Sequence, residues 1–222
     1  MTAVFSDNYN LLLNNTKFLF LQPIMDYYKT IEQEGFAEFK DKGSRFLGYA
    51  FPIKTADDFK AKLADLKKEH PKAVHHCFAF RLGLDGNSYR SNDDGEPSGT
   101  AGKPILGQID SLGLTNIGIV VVRYFGGTLL GVPGLINAYK TTSSFAIQMV
   151  PKVEKAIEEN YNIQCSYELL NDVMTILKQY NSTVISIEQS LFCSIKAGIP
   201  RIRLAQALQR LHDIYGIEVL KL

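Results

Sequence analysis

At 222 residues the chain can form one large domain or two small ones. Its 45% hydrophobic and 21% charged composition is that of a globular protein with a core to bury. A formal net charge of +1 excludes a strongly basic nucleic-acid binder of the histone kind and leaves only a local basic patch for such a role.

Residues 1–24 carry two apolar runs, 11–13 and 18–21, broken by Asn14, Asn15 and Lys17 and preceded by no basic stretch, so they do not read as a signal peptide. They are expected to be a disordered leader or an over-long start. Strands are predicted over 35–40 and 45–51, with the turn signal Asp41-Lys42-Gly43 between them. Thr55 with Asp58 makes a capping-box start for a helix carrying Phe59, Leu63 and Leu66, which Pro71 stops. Over 73–82 the residues alternate: His76, Phe78, Phe80 and Leu82 share one face, His75, Cys77, Ala79 and Arg81 the other. A short strand over 88–91 leads into a glycine-rich acidic loop, 92–102, and then a helix with Pro104 in its first turn. Residues 117–122 are too continuously apolar for a half-exposed strand and are expected to be buried on both faces. They end in Arg123, and a second glycine-rich loop, 126–134, precedes a helix through Leu135, Tyr139, Thr142, Ala146 and Met149.

From about Pro151 the pattern starts afresh. A strand over 161–167, a helix on Leu169, Val173, Ile176 and Tyr180, strands over 183–188 and 191–197, a helix from Pro200 and a last strand over 217–220 give the ferredoxin-like order βαββαβ. The expected fold class is α+β, with a larger α/β unit over 25–150 and the ferredoxin-like unit over 151–222. Cys77, Cys165 and Cys193 form no CxxC and no metal-ligand spacing, which fits core thiols in a reducing compartment. No apolar stretch reaches the about 20 residues a spanning helix needs, so no membrane role is expected and the location is expected to be cytoplasmic.

The chemistry-bearing residues gather in two loops and one helix. In the loops 93–102 and 126–134 the glycines, Gly126 and Gly127 among them, permit close backbone approach, and N–H groups at a following helix start can hold a phosphate. This is no P-loop, because Pro104 follows Lys103 where a Ser or Thr is required. Asp93, Asp94 and Glu96 would repel an anion unless they hold a metal or face away. Arg123, always charged at the end of a buried strand, needs a partner. One of the three acids is expected to meet it at the carboxyl end of the strand, an edge whose loops are where ligands collect in α/β architecture. The alternative is an external phosphate on Arg123. His75 and His76 point to opposite faces and cannot share a metal; His76 is expected to be a hydrogen-bonded core residue and His75 to border the acidic loop. Lys60, Lys67, Lys68 and Lys72, with Lys62 and His70, form the best basic face, either an RNA-backbone patch or a solvated helix surface.

Three runs, His75-His76-Cys77, SNDDGEPSGTAGKP at 91–104 and VVRYFGGTLLG at 121–131, together resemble the YigZ/Impact family. The resemblance implies a first domain with the fold of domain IV of elongation factor G and a second similar to domain V of that factor. It also implies kinship with eukaryotic Impact proteins, translation regulators that act in amino-acid starvation. The expectation is therefore a non-enzymatic translation-associated regulator that binds RNA, the ribosome or a ribosome-bound factor, with no cofactor and no metal. Two alternatives remain open: a hydrolase-type enzyme using His75, Asp93, Asp94, Glu96 and Arg123 around one cleft, and a protein-binding module. Fold alone does not choose among them.

Overall fold

The computed structural model describes residues 26–222; the expectation for residues 1–24 lies outside them. The elements run β1 (Tyr27–Ile31), β2 (Gly35–Asp41), β3 (Ser44–Pro52), α1 (Ala56–Glu69), β4 (His75–Leu82), β5 (Ser88–Asn92), α2 (Gly102–Ser111), β6 (Ile117–Tyr124), α3 (Gly131–Gln148), β7 (Lys152–Ala156), β8 (Glu158–Cys165), α4 (Leu170–Gln179), β9 (Thr183–Gln189), β10 (Cys193–Pro200), α5 (Leu204–His212) and β11 (Glu218–Lys221). The chain is an α+β protein.

Five strands form an antiparallel sheet in the order β2-β3-β6-β4-β5. The β2–β3 hairpin turns on Lys42 and Gly43, both at positive φ, as a two-residue turn of the primed type requires. At the centre, β6 is buried on both faces as its unbroken apolar run demands. On one face Ile117, Ile119 and Val121 pack with Phe46, Cys77 and Ala79 under α2 and α3, which bring Ile105, Ile109, Leu135 and Tyr139. On the other, Val120 and Val122 pack with Leu47, Phe51, Phe78 and Phe80 under α1, through Phe59 and Leu66. The alternation read over 73–82 thus sorts β4 between two cores. The start of α1 is the expected capping box: Asp58 N–H donates to Thr55 Oγ1 at 3.1 Å and Thr55 N–H donates to Asp58 Oδ2 at 2.9 Å.

The second sheet has the order β11-β8-β10-β9, antiparallel throughout, with α4 and α5 on one face. That is the βαββαβ plan read from the sequence. Its second helix begins later than expected: Pro200 ends β10, and a 3-10 turn at Arg201–Arg203 precedes α5. Likewise 131–134 is the first turn of α3 rather than loop.

One pairing lies outside the sequence reading. β7, which follows the expected seam, lies antiparallel on β1, from Tyr27 opposite Ala156 to Ile31 opposite Lys152. Beyond it Ile157 N–H donates to Asp26 O at 2.7 Å and Arg201 N–H donates to Ile157 O at 2.9 Å. The connection from α3 into the second sheet is therefore held in a ribbon.

Two glycines give opposite expectations. A Cβ at Gly118 would meet Phe59 Cδ2 at 2.6 Å and Phe51 Cε2 at 3.0 Å, whereas one at exposed Gly107, inside α2, meets nothing within 4 Å. Gly118→Ala should cost about 1–3 kcal/mol by overpacking. Gly107→Ala should gain about 0.5–1 kcal/mol from helix propensity. Urea midpoints moving in opposite directions would check both.

Candidate functional site

The site begins with one row of residues across the five-stranded sheet. Phe46 on β3, Arg123 on β6 and His75 on β4 are in direct register, and all three face the side covered by α3. Arg123 is only 5% exposed. Its guanidinium lies between two rings, 5.3 Å from the centre of Phe46 and 5.7 Å from that of Phe125. A buried guanidinium must find a counter-charge, and Glu96 supplies it: Arg123 donates to Glu96 Oε1 at 2.5 Å. The same oxygen accepts from the Tyr139 hydroxyl of α3 at 2.7 Å and lies 3.8 Å from His75 Nε2.

The loop between β5 and α2 is built to deliver Glu96. Asp93 folds its carboxylate onto the start of α2 and accepts from Gly99 N–H at 2.9 Å, Ala101 N–H at 3.0 Å and Gly102 N–H at 2.8 Å. Burial pushes the Asp93 carboxyl up, but these three donors outweigh it and hold it below the ordinary aspartate range. The chain then reverses through Asp94 and Gly95, both at positive φ, the first braced by its N–H on Asn92 Oδ1 at 2.6 Å. Asp94 ties the loop to β4: its carbonyl accepts from His75 Nδ1 at 2.7 Å and its Oδ2 from His76 N–H at 2.7 Å. His75 therefore donates from Nδ1 to this carbonyl and turns Nε2 toward Glu96. The Cys77 thiol lies 3.0 Å from Asp93 O and 3.2 Å from the Tyr139 hydroxyl. Burial pushes both the Cys77 thiol and the Tyr139 phenol well up, so neither is ionised at neutral pH.

The sequence-predicted residues thus divide. His75, Asp93, Asp94, Glu96 and Arg123 do gather, and the pairing expected of Arg123 is made by Glu96. The ground for it differs from the α/β rule, because this sheet is antiparallel; Arg123 turns inward beneath α3. The backbone donors at the start of α2 that a phosphate could use are occupied by Asp93. Gly126 serves packing: a Cβ there would overlap the backbone of Gly43, and its N–H donates to Ser44 Oγ at 3.2 Å. Gly127, at positive φ, faces open space. His76 is buried as expected, but its ring is not hydrogen-bonded: Nε2 has no partner among the described residues.

The basic face is largely matched by acids. Lys60 pairs with Asp57 at 2.8 Å, Lys62 with Glu34 at 2.6 Å, Lys68 with Asp65 at 3.1 Å, and Lys67 lies 3.9 Å from Asp94. Lys72 follows the helix and is exposed. His70 leaves this face, bonded between the hydroxyls of Tyr49 at 2.8 Å and Tyr124 at 2.9 Å. Tyr139 is the residue that the sequence reading missed; a tyrosine on the apolar stripe of a helix needs a buried partner for its hydroxyl, and that was the available signal.

Beside the clamp opens a cleft of about 400 Å³, with Glu96, His75 and Arg123 in its lining and Phe125, Leu129 and Val132 among its apolar walls. Antiparallel sheet, acidic loop and buried arginine clamp define a mixed α+β class that the comparisons make specific. Residues 42–147, which contain the whole clamp, match the family model of the Impact N-terminal domain. The chain is 34% identical over 174 residues to the IMPACT family member YigZ of Escherichia coli, covering 78% of this chain and 85% of that one. It is 37% identical over 147 residues to an IMPACT family member of Haemophilus influenzae, covering 65% and 71%. Protein IMPACT of Rattus norvegicus matches at 33% over 100 residues, 43% of this chain and 31% of its own length. A crystal structure described as that of a hypothetical protein superposes with a TM-score of 0.72 at 30% identity, over 90% of this chain and 98% of the other. The chain belongs to the IMPACT family.

Two expectations follow from these buried polar groups. Arg123→Ala leaves Glu96 buried and uncompensated and should cost about 3–5 kcal/mol in urea unfolding, while Arg123→Met with Glu96→Gln, which removes both charges, should recover most of that loss. The second concerns His76. Burial lowers the basicity of its imidazole; Asp94 opposes this, and Lys67, His70 and His75 add to it. The unfolded chain therefore binds a proton near its ordinary pKa of about 6.5, before the folded chain does, and stability must fall as pH drops through that value. His76→Phe should flatten the dependence of melting temperature on pH between about 7 and 5, whereas the Asp93 contribution, lost only below about 4, should remain.

Proposed function

We propose that this chain is a non-enzymatic, translation-associated protein that docks on the ribosome or on a ribosome-bound factor through the cleft beside Arg123. One contrast carries the reading. Within the family segment most polar groups are matched to one another: Arg123 to Glu96, Tyr139 to Glu96, His75 to Asp94, Asp93 to the start of α2, with Arg123 Nε and His76 Nε2 left without a partner among the described residues. The apolar residues of the same segment are left out: Leu129 is 82%, Val132 52% and Phe125 48% exposed around the cleft. Exposed apolar residues grouped on one rim mark a surface for a partner rather than for water. A catalytic reading needs an ionisable nucleophile or base with access to substrate. Here the thiol and the phenol are buried with their ionisation suppressed, and the imidazole that lines the cleft, His75, is held by Asp94 O through Nδ1 with Nε2 facing the Glu96 carboxylate and no nucleophile beside it among the described residues. Family membership supports the translational setting, and the matched lysines of α1 favour a protein contact at this cleft.

Co-sedimentation with ribosomes at low and high salt tests the proposal. Leu129→Asp with Val132→Asp should weaken association at least about tenfold without lowering the melting temperature, since both side chains are exposed, and wild-type binding should survive high salt because apolar contacts are not screened. Binding that vanishes at high salt and is untouched by this double variant would reject the cleft as the docking surface.

A further inference from the structure

The second sheet ends in an apolar tip that its own core does not use. In register, Cys165, Cys193 and Gln189 stand side by side where β8 ends, β10 begins and β9 ends, and Glu218 at the start of β11 lies opposite Gln164. The segments 166–169, 190–192 and 213–217 therefore leave the same end of the sheet. Contacts join them: the Tyr167 hydroxyl donates to Ser190 O at 2.8 Å, and a Cβ at Gly216 would lie 3.6 Å from Leu169 Cδ1. Connections of this kind are ordinarily built from polar turn residues, yet these present Tyr167, Leu191, Phe192 and Tyr215 to solvent. Leu191 is 94% and Tyr215 100% exposed, and the other two are about half exposed. Side chains so placed add next to nothing to the core of Ile163, Cys165, Leu177 and Ile195 beneath α4 and α5.

The charge around this tip has one sign. Segments 166–172, 188–194 and 212–218 hold Glu168, Asp172, Glu188, Asp213 and Glu218, one histidine, His212, and no lysine or arginine. Glu188 pairs with Lys196 at 3.5 Å, whereas Glu168, Asp213 and Glu218 are exposed and have no cation within ion-pair distance among the described residues. We infer that the tip is a docking surface for a cationic amphipathic helix of a partner protein, its apolar face on Tyr167, Leu191, Phe192 and Tyr215 and its lysines or arginines on the flanking acids. The dimensions agree. The four strands of this sheet, about 4.8 Å apart, make a row about 15 Å wide. Three helical turns of about 5.4 Å each have that length. An apolar stripe with complementary charge beside it is what such a helix recognises. A second copy of this chain would set acids against acids, and an anionic bilayer would be repelled by the same charges. The tip belongs to the second sheet and the docking cleft to the first, so each can fail without the other.

The test is fluorescence anisotropy of the full chain with a labelled leucine–lysine peptide of about 14 residues whose leucines recur at i, i+3, i+4 and i+7. Leu191→Ser with Tyr215→Ser should weaken binding at least about tenfold, the loss expected of two contact anchors. The melting temperature should stay at the wild-type value, since both side chains are exposed. Glu168→Gln with Glu218→Gln should weaken binding at low salt and flatten its salt dependence. On the wild-type protein, a peptide of the same composition with its leucines scattered around the helix should bind distinctly more weakly, and an analogue with glutamate for lysine should not bind. The proposal is overturned by absence of binding, by unchanged affinity in either double variant, or by scattered or acidic peptides that bind as well as the amphipathic one. It is equally overturned if Leu191→Ser with Tyr215→Ser instead dissolves a dimer of this chain or abolishes its co-sedimentation with phosphatidylcholine vesicles.

Discussion

The first sheet is organised around a charge that cannot be left alone. β6 is the central strand, and Arg123 is carried by it to a nearly buried position under α3. An unpaired guanidinium there would cost several kcal/mol. Glu96 has to arrive from a segment with no regular structure, and the contacts of 93–102 follow from that need. Asp93 knots the loop onto the first turn of α2, Asp94 and Gly95 reverse it, and His75 and His76 hold it to β4. Tyr139 then fixes α3 over the same oxygen.

This arrangement explains why the polar family segment is chemically quiet. The N–H groups of Gly99, Ala101 and Gly102 are taken by Asp93, so the start of α2 carries its own anion where a phosphate would otherwise be favoured. What remains available to partners lies at the border: the exposed apolar residues Phe125, Leu129 and Val132 beside the clamp.

Much of the fold was legible because its signals are local. Alternation in β4, the capping box of Thr55 and Asp58, and the βαββαβ order of the second sheet are each written within one or two elements. The need of Arg123 for an acid was legible too, since burial and charge could both be read at the end of an apolar strand; which acid could not be, because 93–96 offers three and only the folded loop separates their roles. The β1–β7 ribbon was not legible. Its strands are short, carry mixed polar sequence and lie far apart along the chain, so neither has a period that names its partner. The inward turn of His70 and two of the acids matching the α1 lysines escaped for a related reason: Glu34 and Asp94 reach the helix only through tertiary packing, whereas Asp57 and Asp65 stand three residues before Lys60 and Lys68 and were open to a helix-spacing reading.

A buried ion pair is a weak source of stability beside an apolar replacement of the same volume, yet it is strict about geometry. That strictness matters most where no helix or strand dictates the path. Hydrophobic side chains at 96 and 123 could be packed in several loop conformations of similar energy, whereas a carboxylate that must meet Arg123 and Tyr139 at once admits few. The cost of desolvating Glu96 and Arg123 thus selects one conformation of the 93–102 loop. Because Glu96 and Arg123 also line the cleft, that same selection fixes the wall against which Phe125, Leu129 and Val132 are set.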